Sequence, residues 1–344
     1  MHATYPSRFA TVSLALPLLL VLAALTFGSC ALGDPGGHNR FGKDATELHI
    51  IHADGSGDRV LAVGGPYYSL LLADSTFIAC AGVGGLCLGR FTGSAIAPLY
   101  PGITWLDCSM SKDRTTVVLT SNVSGPNDLY TMNPDGTSLF KRNVAPGDYF
   151  QGMVSPRLDE FVFRRSTGIC TMSANGSDLR TIDSSKGKAF LSQERYVDED
   201  RILYSADSGS VKAGPGDFGT TSIVLFDKRT ATGKLLVAHH QLGYFSQNVI
   251  WGDTLLCVEG GTIKLLDLGT GTVNTVGPGL WASYSPDGTK IVYTDNTRIY
   301  ILDLHTGVSR VTYTEMDPSK SIEDPEMSPD NTFIVFCADY TVPD

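Results

Sequence analysis

The sequence predicts an all-β protein, a ring of seven four-stranded blades, and three observations predict it. A unit of strands and turns, clearest in SPDGTKIVYTDNTRIYILDLHTG at residues 285–307, recurs along the chain. Composition agrees: 37 glycines and 17 prolines among 344 residues, with 18% charged and 42% hydrophobic side chains, describe a turn-rich sheet protein with a core. Finally, the repeats begin with an unmatched second half, Leu48 to Val63, and end with an unmatched first half, Ser321 to Tyr340. Joined, those halves complete one blade and remove the open edges that a linear array would leave.

What precedes the repeats is a different kind of chain. Residues 1–29 carry a single charge, Arg8, and the apolar run LALPLLLVLAALTF at 14–27, which suits a secretory signal and is short for a membrane span. Small residues Gly28 and Ser29 before Cys30 resemble the bacterial lipobox, although Phe27 stands where leucine is usual. On that resemblance Cys30 becomes the lipidated first residue of an exported, envelope-anchored protein; an ordinary signal with Cys30 incidental is the alternative. Residues 30–46, Gly-rich and without period, read as a tether, and 47–344 as the propeller.

Within the propeller, first halves start at Ser111, Ser155, Ser285 and Ser328, and more weakly at Ala73, Asp198 and Trp251. Second halves start at Leu48, Leu86, Leu129, Ile169, Ile223, Ile263 and Ile299. Each half couples a turn to an alternating or β-branched run, the mark of a hairpin. Asp54-Gly55, Asp135-Gly136, Asn175-Gly176 and Asp287-Gly288 supply the positive φ that tight turns require. Seven of each half give seven blades, with six or eight as the alternative counts. One acid per turn is turn chemistry rather than calcium ligation, and HADGSGD at 52–58 is read the same way.

SPDGTKIVY, IYILDLHTG and LYTMNPDG resemble the TolB-type propeller repeat of bacterial periplasmic proteins, over residues 47–340. TolB itself sets an α/β domain before six blades. Here the ring follows the tether directly and counts to seven, so a protein other than TolB is expected, and TolB's lipoprotein partner is not carried over.

The charge narrows the functions. A net charge of −10 repels phosphate backbones, which excludes nucleic acid, and leaves membrane attachment to the acyl chains of Cys30. Cys80 and Cys87 flank the turn GVGG symmetrically, so that a cross-strand disulfide and two packed thiols both fit. Neither a metal nor a cofactor is expected, because no Cys/His zinc spacing occurs and no catalytic elbow is present. Gly85-Leu86-Cys87-Leu88-Gly89 has an elbow's spacing but lies inside a strand and reads as a packed cysteine. His49, His52 and His305 fall toward the rim. His239-His240 falls where a new blade starts, within reach of the central mouth.

Binding is better supported than catalysis. An insertion at 207–222, containing Asp217 and Phe218, lengthens one strand connection, and rigid rings present recognition on such loops. Aromatic residues recur where the chain enters each first strand: Trp105, Tyr149, Phe150, Tyr244, Phe245 and Trp281 are candidate anchors, with packing between blades as the alternative. Glu323 and Glu326, with Asp324 between them, put an acidic sector beside the axis. The expected protein is a monomeric, non-catalytic scaffold for an envelope protein or peptide; a metal-assisted lyase or cyclase at the channel mouth is the competing reading.

Overall fold

The computed structural model describes residues 44–341, without 65–66, 82–84, 102, 104, 123–125, 144–146, 185–189, 208–220 and 241–247. The leader, Cys30, residues 31–43 of the tether and most of the 207–222 insertion lie outside the described residues, whereas residues 44–46, expected in the tether, begin the strand Asp44–His52. The strands form seven four-stranded antiparallel sheets, so the expected count of seven blades holds. Blades I to VI run in chain order, and their first strands are Tyr67–Leu72, Trp105–Met110, Phe150–Val154, Phe190–Tyr196, Ile250–Trp251 and Leu280–Tyr284. The first strands of blades I to IV contact one another in turn, and that of blade VI contacts the second strand of blade V and the strand Lys320–Met327, which in turn meets Tyr67–Leu72, so the first strands ring the axis.

Blade VII is shared by the two ends of the described chain. Lys320–Met327 and Phe333–Thr341 supply its two inner strands, and Asp44–His52 and Arg59–Gly64 its two outer ones. The junction runs in antiparallel register from Asp44 opposite Thr341 to His52 opposite Phe333. The ring is therefore closed by backbone hydrogen bonds, as the unmatched halves require.

Local chemistry explains why the repeated motif is conserved within the chain. In the turn between the first two strands of blade VI, Ser285 Oγ donates to Asp287 (2.6 Å), Lys290 N–H donates to Ser285 Oγ (2.9 Å), and Thr289 donates to Asp287 through both N–H and Oγ (3.0 and 2.8 Å). Ser111, Asp113, Thr115 and Thr116 repeat the network in blade II, and Ser328, Asp330, Thr332 and Phe333 in blade VII. The fourth turn residue takes positive φ in every case: Arg114 (61°), Leu158 (62°), Gly288 (68°) and Asn331 (59°). These acids hold the backbone of their own turns. Depressed carboxylate pKa values at Asp113, Asp287 and Asp330 follow from the same hydrogen bonds, against the opposing effect of burial.

Apolar side chains lie between the blades. Ile78, Leu86, Cys108 and Leu119 join blades I and II; Leu129, Val154 and Phe161 join II and III; Val162, Ile202 and Tyr204 join III and IV. Leu203, Leu255, Leu266 and Ile291 continue through IV, V and VI, and Ile299, Ile334 and Phe336 reach blade VII. Phe77, Phe91 and Phe333 then close the seam back to blade I, with Phe91 stacked on Phe333 at 5.7 Å. Each such side chain contributes roughly 1.5–3 kcal/mol when fully buried.

One pairing left open by the sequence is resolved. Cys80 is bonded to Cys108, joining the second strand of blade I to the first strand of blade II, and Cys87 is a free thiol. The hairpin register is the reason. Cys80 stands opposite Leu86, and Cys87 opposite Ala79, one residue away from the symmetric arrangement. A one-residue shift turns the two thiols to opposite faces of the sheet.

Candidate functional site

The inner strands are bent where they pass the axis. Register shifts occur between Trp105 and Asp107, Phe150 and Met153, Ser192 and Arg195, Leu280 and Ser283, and Glu323 and Glu326. At the bulges Gln151, Trp281 and Asp324 adopt positive φ of 53°, 42° and 47°. Such backbone costs about 1–3 kcal/mol per residue and re-aims side chains. Neighbouring bulges are tied together, since Ser109 Oγ donates to the Gly152 carbonyl (2.6 Å) and Ser283 Oγ to the Pro325 carbonyl (2.9 Å).

Charged groups concentrate at this level. Burial pushes the Asp107 carboxyl up to about 6, against the backbone N–H groups of Cys108 and Gln151 and the nearby charges of Arg164 and Arg195. Burial raises Glu194 further, to about 8, with Arg164 favouring its charge and Asp107 opposing it. Arg195 is drawn down to about 10 by burial, although Glu194, Asp107 and Glu326 hold its proton. On blade VII, Asp324 is raised by burial and by repulsion from Glu323, Glu326 and Asp339, while Glu326 accepts a hydrogen bond from Asn248 Nδ2 (2.8 Å). Of the acids at 323–326, Asp324 holds its proton more tightly than a free carboxylate does.

Where these strands reach the turns joining first to second strands, a cavity of about 360 Å³ opens on the axis. Blades I to VI contribute to its wall. Met110, Met153, Tyr196, Ile250, Trp251 and Tyr284 supply its larger apolar surface, and every charged residue of the lining is basic: Lys112, Arg114 and Arg195. Trp251 lies against the blade VI turn; a Cβ added at Gly288 would sit 1.9 Å from its ring. Arg114 is half-buried, its pKa lowered by that burial against the opposing charges of Asp74 and Glu326.

The candidate anchors are distributed unevenly. Trp105 is buried edge-on between Tyr100 (6.1 Å) and Tyr130 (5.8 Å), and Tyr149 is fully buried against Phe163 (4.9 Å), so both take the packing role between strands. Phe150 and Trp281 are half-buried at the opposite end of the inner strands from the cavity, with Arg164 over the Phe150 ring at 5.0 Å. Glu323 and Glu326 stand on the inner strand of blade VII as expected. Asp217, Phe218, Tyr244 and Phe245 lie outside the described residues. His239 and His240 end Thr232–His240, the outermost strand of blade IV, rather than starting a blade; the backbone sets them at the rim, away from the acids at 323–326. Among the described residues no three His, Cys, Asp or Glu side chains gather as a metal site.

Lys112, Arg114 and Trp251 were not singled out by sequence reasoning. A signal existed: blade II writes its turn SKDR at 111–114 where blades VI and VII have SPDG and SPDN, so two turn positions become basic.

No protein-family model matches the sequence, and no curated protein matches it. Many solved structures do match. A TolB-type protein of Agrobacterium tumefaciens superposes with a TM-score of 0.50 at 12% identity, over 88% of this chain and all of the other. An oligogalacturonate lyase in complex with manganese gives 0.51 at 13%, over 81% of this chain and 98% of the other. A puromycin-hydrolysing peptidase of Mycobacterium tuberculosis gives 0.58 at 14%; the match takes in 88% of this chain but 58% of the peptidase. At these identities the likeness establishes the fold alone, a β-propeller, and the ring does not choose between binding and catalysis.

Proposed function

We propose that the protein is an exported, lipid-anchored propeller that binds a protein or peptide partner at the cell envelope. The observation that carries this reading is the axial cavity, walled by methionine and aromatic side chains on rigid inner strands and entered past basic residues. Adaptable methionines and rigid aromatics on a preformed wall are the usual means of holding a polypeptide segment. The Cys80–Cys108 bond supports export, because disulfides persist in oxidising compartments. The leader ending at Cys30 supplies the route and the anchor.

The test has two arms. Affinity capture from solubilised envelopes with the full chain is expected to retain a defined partner that Trp251→Ala, Met153→Ala releases. A partner list indistinguishable from that of an unrelated lipoprotein would overturn the binding reading. Cys30→Ser is expected to move the protein from the membrane to the soluble fraction; persistent membrane attachment would refute the lipid anchor.

A further inference from the structure

The charge at the cavity defines what enters it. Lys112, Arg114 and Arg195 are its charged lining residues in a chain whose net charge is −10. Arg114 is the informative member. Its guanidinium is half-buried and donates no hydrogen bond among the described residues, while its main chain is held in the turn by the N–H bond to the Ser111 carbonyl (2.9 Å). Five N–H donors without acceptors at a partly desolvated site favour a planar anion, and carboxylate matches the fork in two parallel bonds. Glu326 and Asp74 lie close enough to act on Arg114 through charge, and Glu326 also acts on Arg195.

Size and walls choose the anion's carrier. About 360 Å³ is near the lower end of ligand pockets, and walls from six blades admit a chain end more readily than a folded face. Met110, Met153, Ile250 and Tyr284 offer apolar contact, which suits hydrophobic side chains and leaves the hydroxyls of a sugar acid unsatisfied. Resting on the partner-binding reading above, we propose that this mouth captures the free C-terminal carboxylate of an apolar peptide segment, with Arg114 and Lys112 receiving the carboxylate and the Met/aromatic wall receiving the preceding side chains.

The chain itself provides the variant that tests this. Blade VII carries SPDN at 328–331, with Asn331 at the φ of Arg114, so Lys112→Pro with Arg114→Asn rewrites the blade II turn in a form the ring already uses. The probes are N-acetylated hydrophobic tetrapeptides as free acids, the same peptides as carboxamides, and trigalacturonate, titrated into the detergent-solubilised full chain. Free acids are expected to bind at least ten-fold more tightly than carboxamides, and the double variant to lose at least ten-fold affinity for the acids while unfolding at the wild-type temperature. Equal affinity for acid and amide, no binding by either, unchanged affinity in the variant, or preference for trigalacturonate would each overturn the proposal. Envelope capture separates it from the broader reading: a partner retained equally by wild type and double variant leaves partner binding standing and removes the carboxylate site, whereas no partner with wild type removes the broader reading.

Discussion

Asp287 illustrates how much a single turn carboxylate does in this ring. Besides Ser285 and Thr289 it accepts from Asn331 Nδ2 (2.7 Å) in the next blade, so one side chain closes its own hairpin and ties blade VI to blade VII. Those bonds depress its pKa well below the ordinary aspartate value. A depressed carboxylate stabilises the fold above its unfolded pKa of about 4 and ceases to do so as pH falls through the folded value. Asp287→Ala is therefore expected to lose about 1 kcal/mol at pH 7, a small figure because the site is wet. Chemical denaturation at pH 7 and again near pH 2 checks this: the gap between wild type and variant should shrink on acidification, and a constant gap would place the effect elsewhere. The motif was legible because its chemistry is local, with serine, aspartate and threonine bonding inside six residues. Arg114 was less legible. Its turn position could be read, but burial of the guanidinium depends on blades that meet only in the closed ring.

At the scale of strands, the disulfide shows the same division. The hairpin around residues 82–84 was visible as strand, glycine-rich turn and strand, yet symmetry about the turn did not fix the register, and register decides which face a thiol occupies. Cys108 becomes the partner only because the inner strand of blade II packs beside the second strand of blade I. Likewise, the repeat fixed which strands are innermost, but not that their bulges would gather Asp107, Glu194 and Arg195 at one level. The bond closes a separation of 28 residues, and loops of that length are expected to gain roughly 3–4 kcal/mol from closure in the chain-entropy account. Cys80→Ser with Cys108→Ser should lower the unfolding free energy by about that amount. Dithiothreitol should destabilise wild type and leave the double variant unchanged. Equal sensitivity of both to reductant would show that the bond contributes nothing.

Across the whole molecule, two populations of acids oppose each other. Turn aspartates on the faces, among them Asp113, Asp287 and Asp330, have lowered pKa values and favour the fold above about pH 4. Axial acids have raised ones: Asp107 at about 6 and Glu194 at about 8. For a raised carboxyl the unfolded chain releases its proton first, so the fold loses stability as pH climbs from about 4 to the folded value and no further. His49 adds to the same limb. It sits in the closing blade between Asp58 and Glu47, each at 2.9 Å, and although burial opposes it, those carboxylates raise its pKa. Its stabilisation is complete below about pH 6.5 and is lost as pH rises through the folded value. Stability should therefore peak near pH 4–6 and fall on both sides. Glu194→Gln removes one charge from the axis without changing its volume, and is expected to raise the unfolding temperature at pH 8 while leaving it nearly unchanged at pH 4. Thermal unfolding of both proteins across that range decides the point: parallel curves would mean that Glu194 titrates normally, and that the axis, despite its crowding of charge, is as well solvated as the rim.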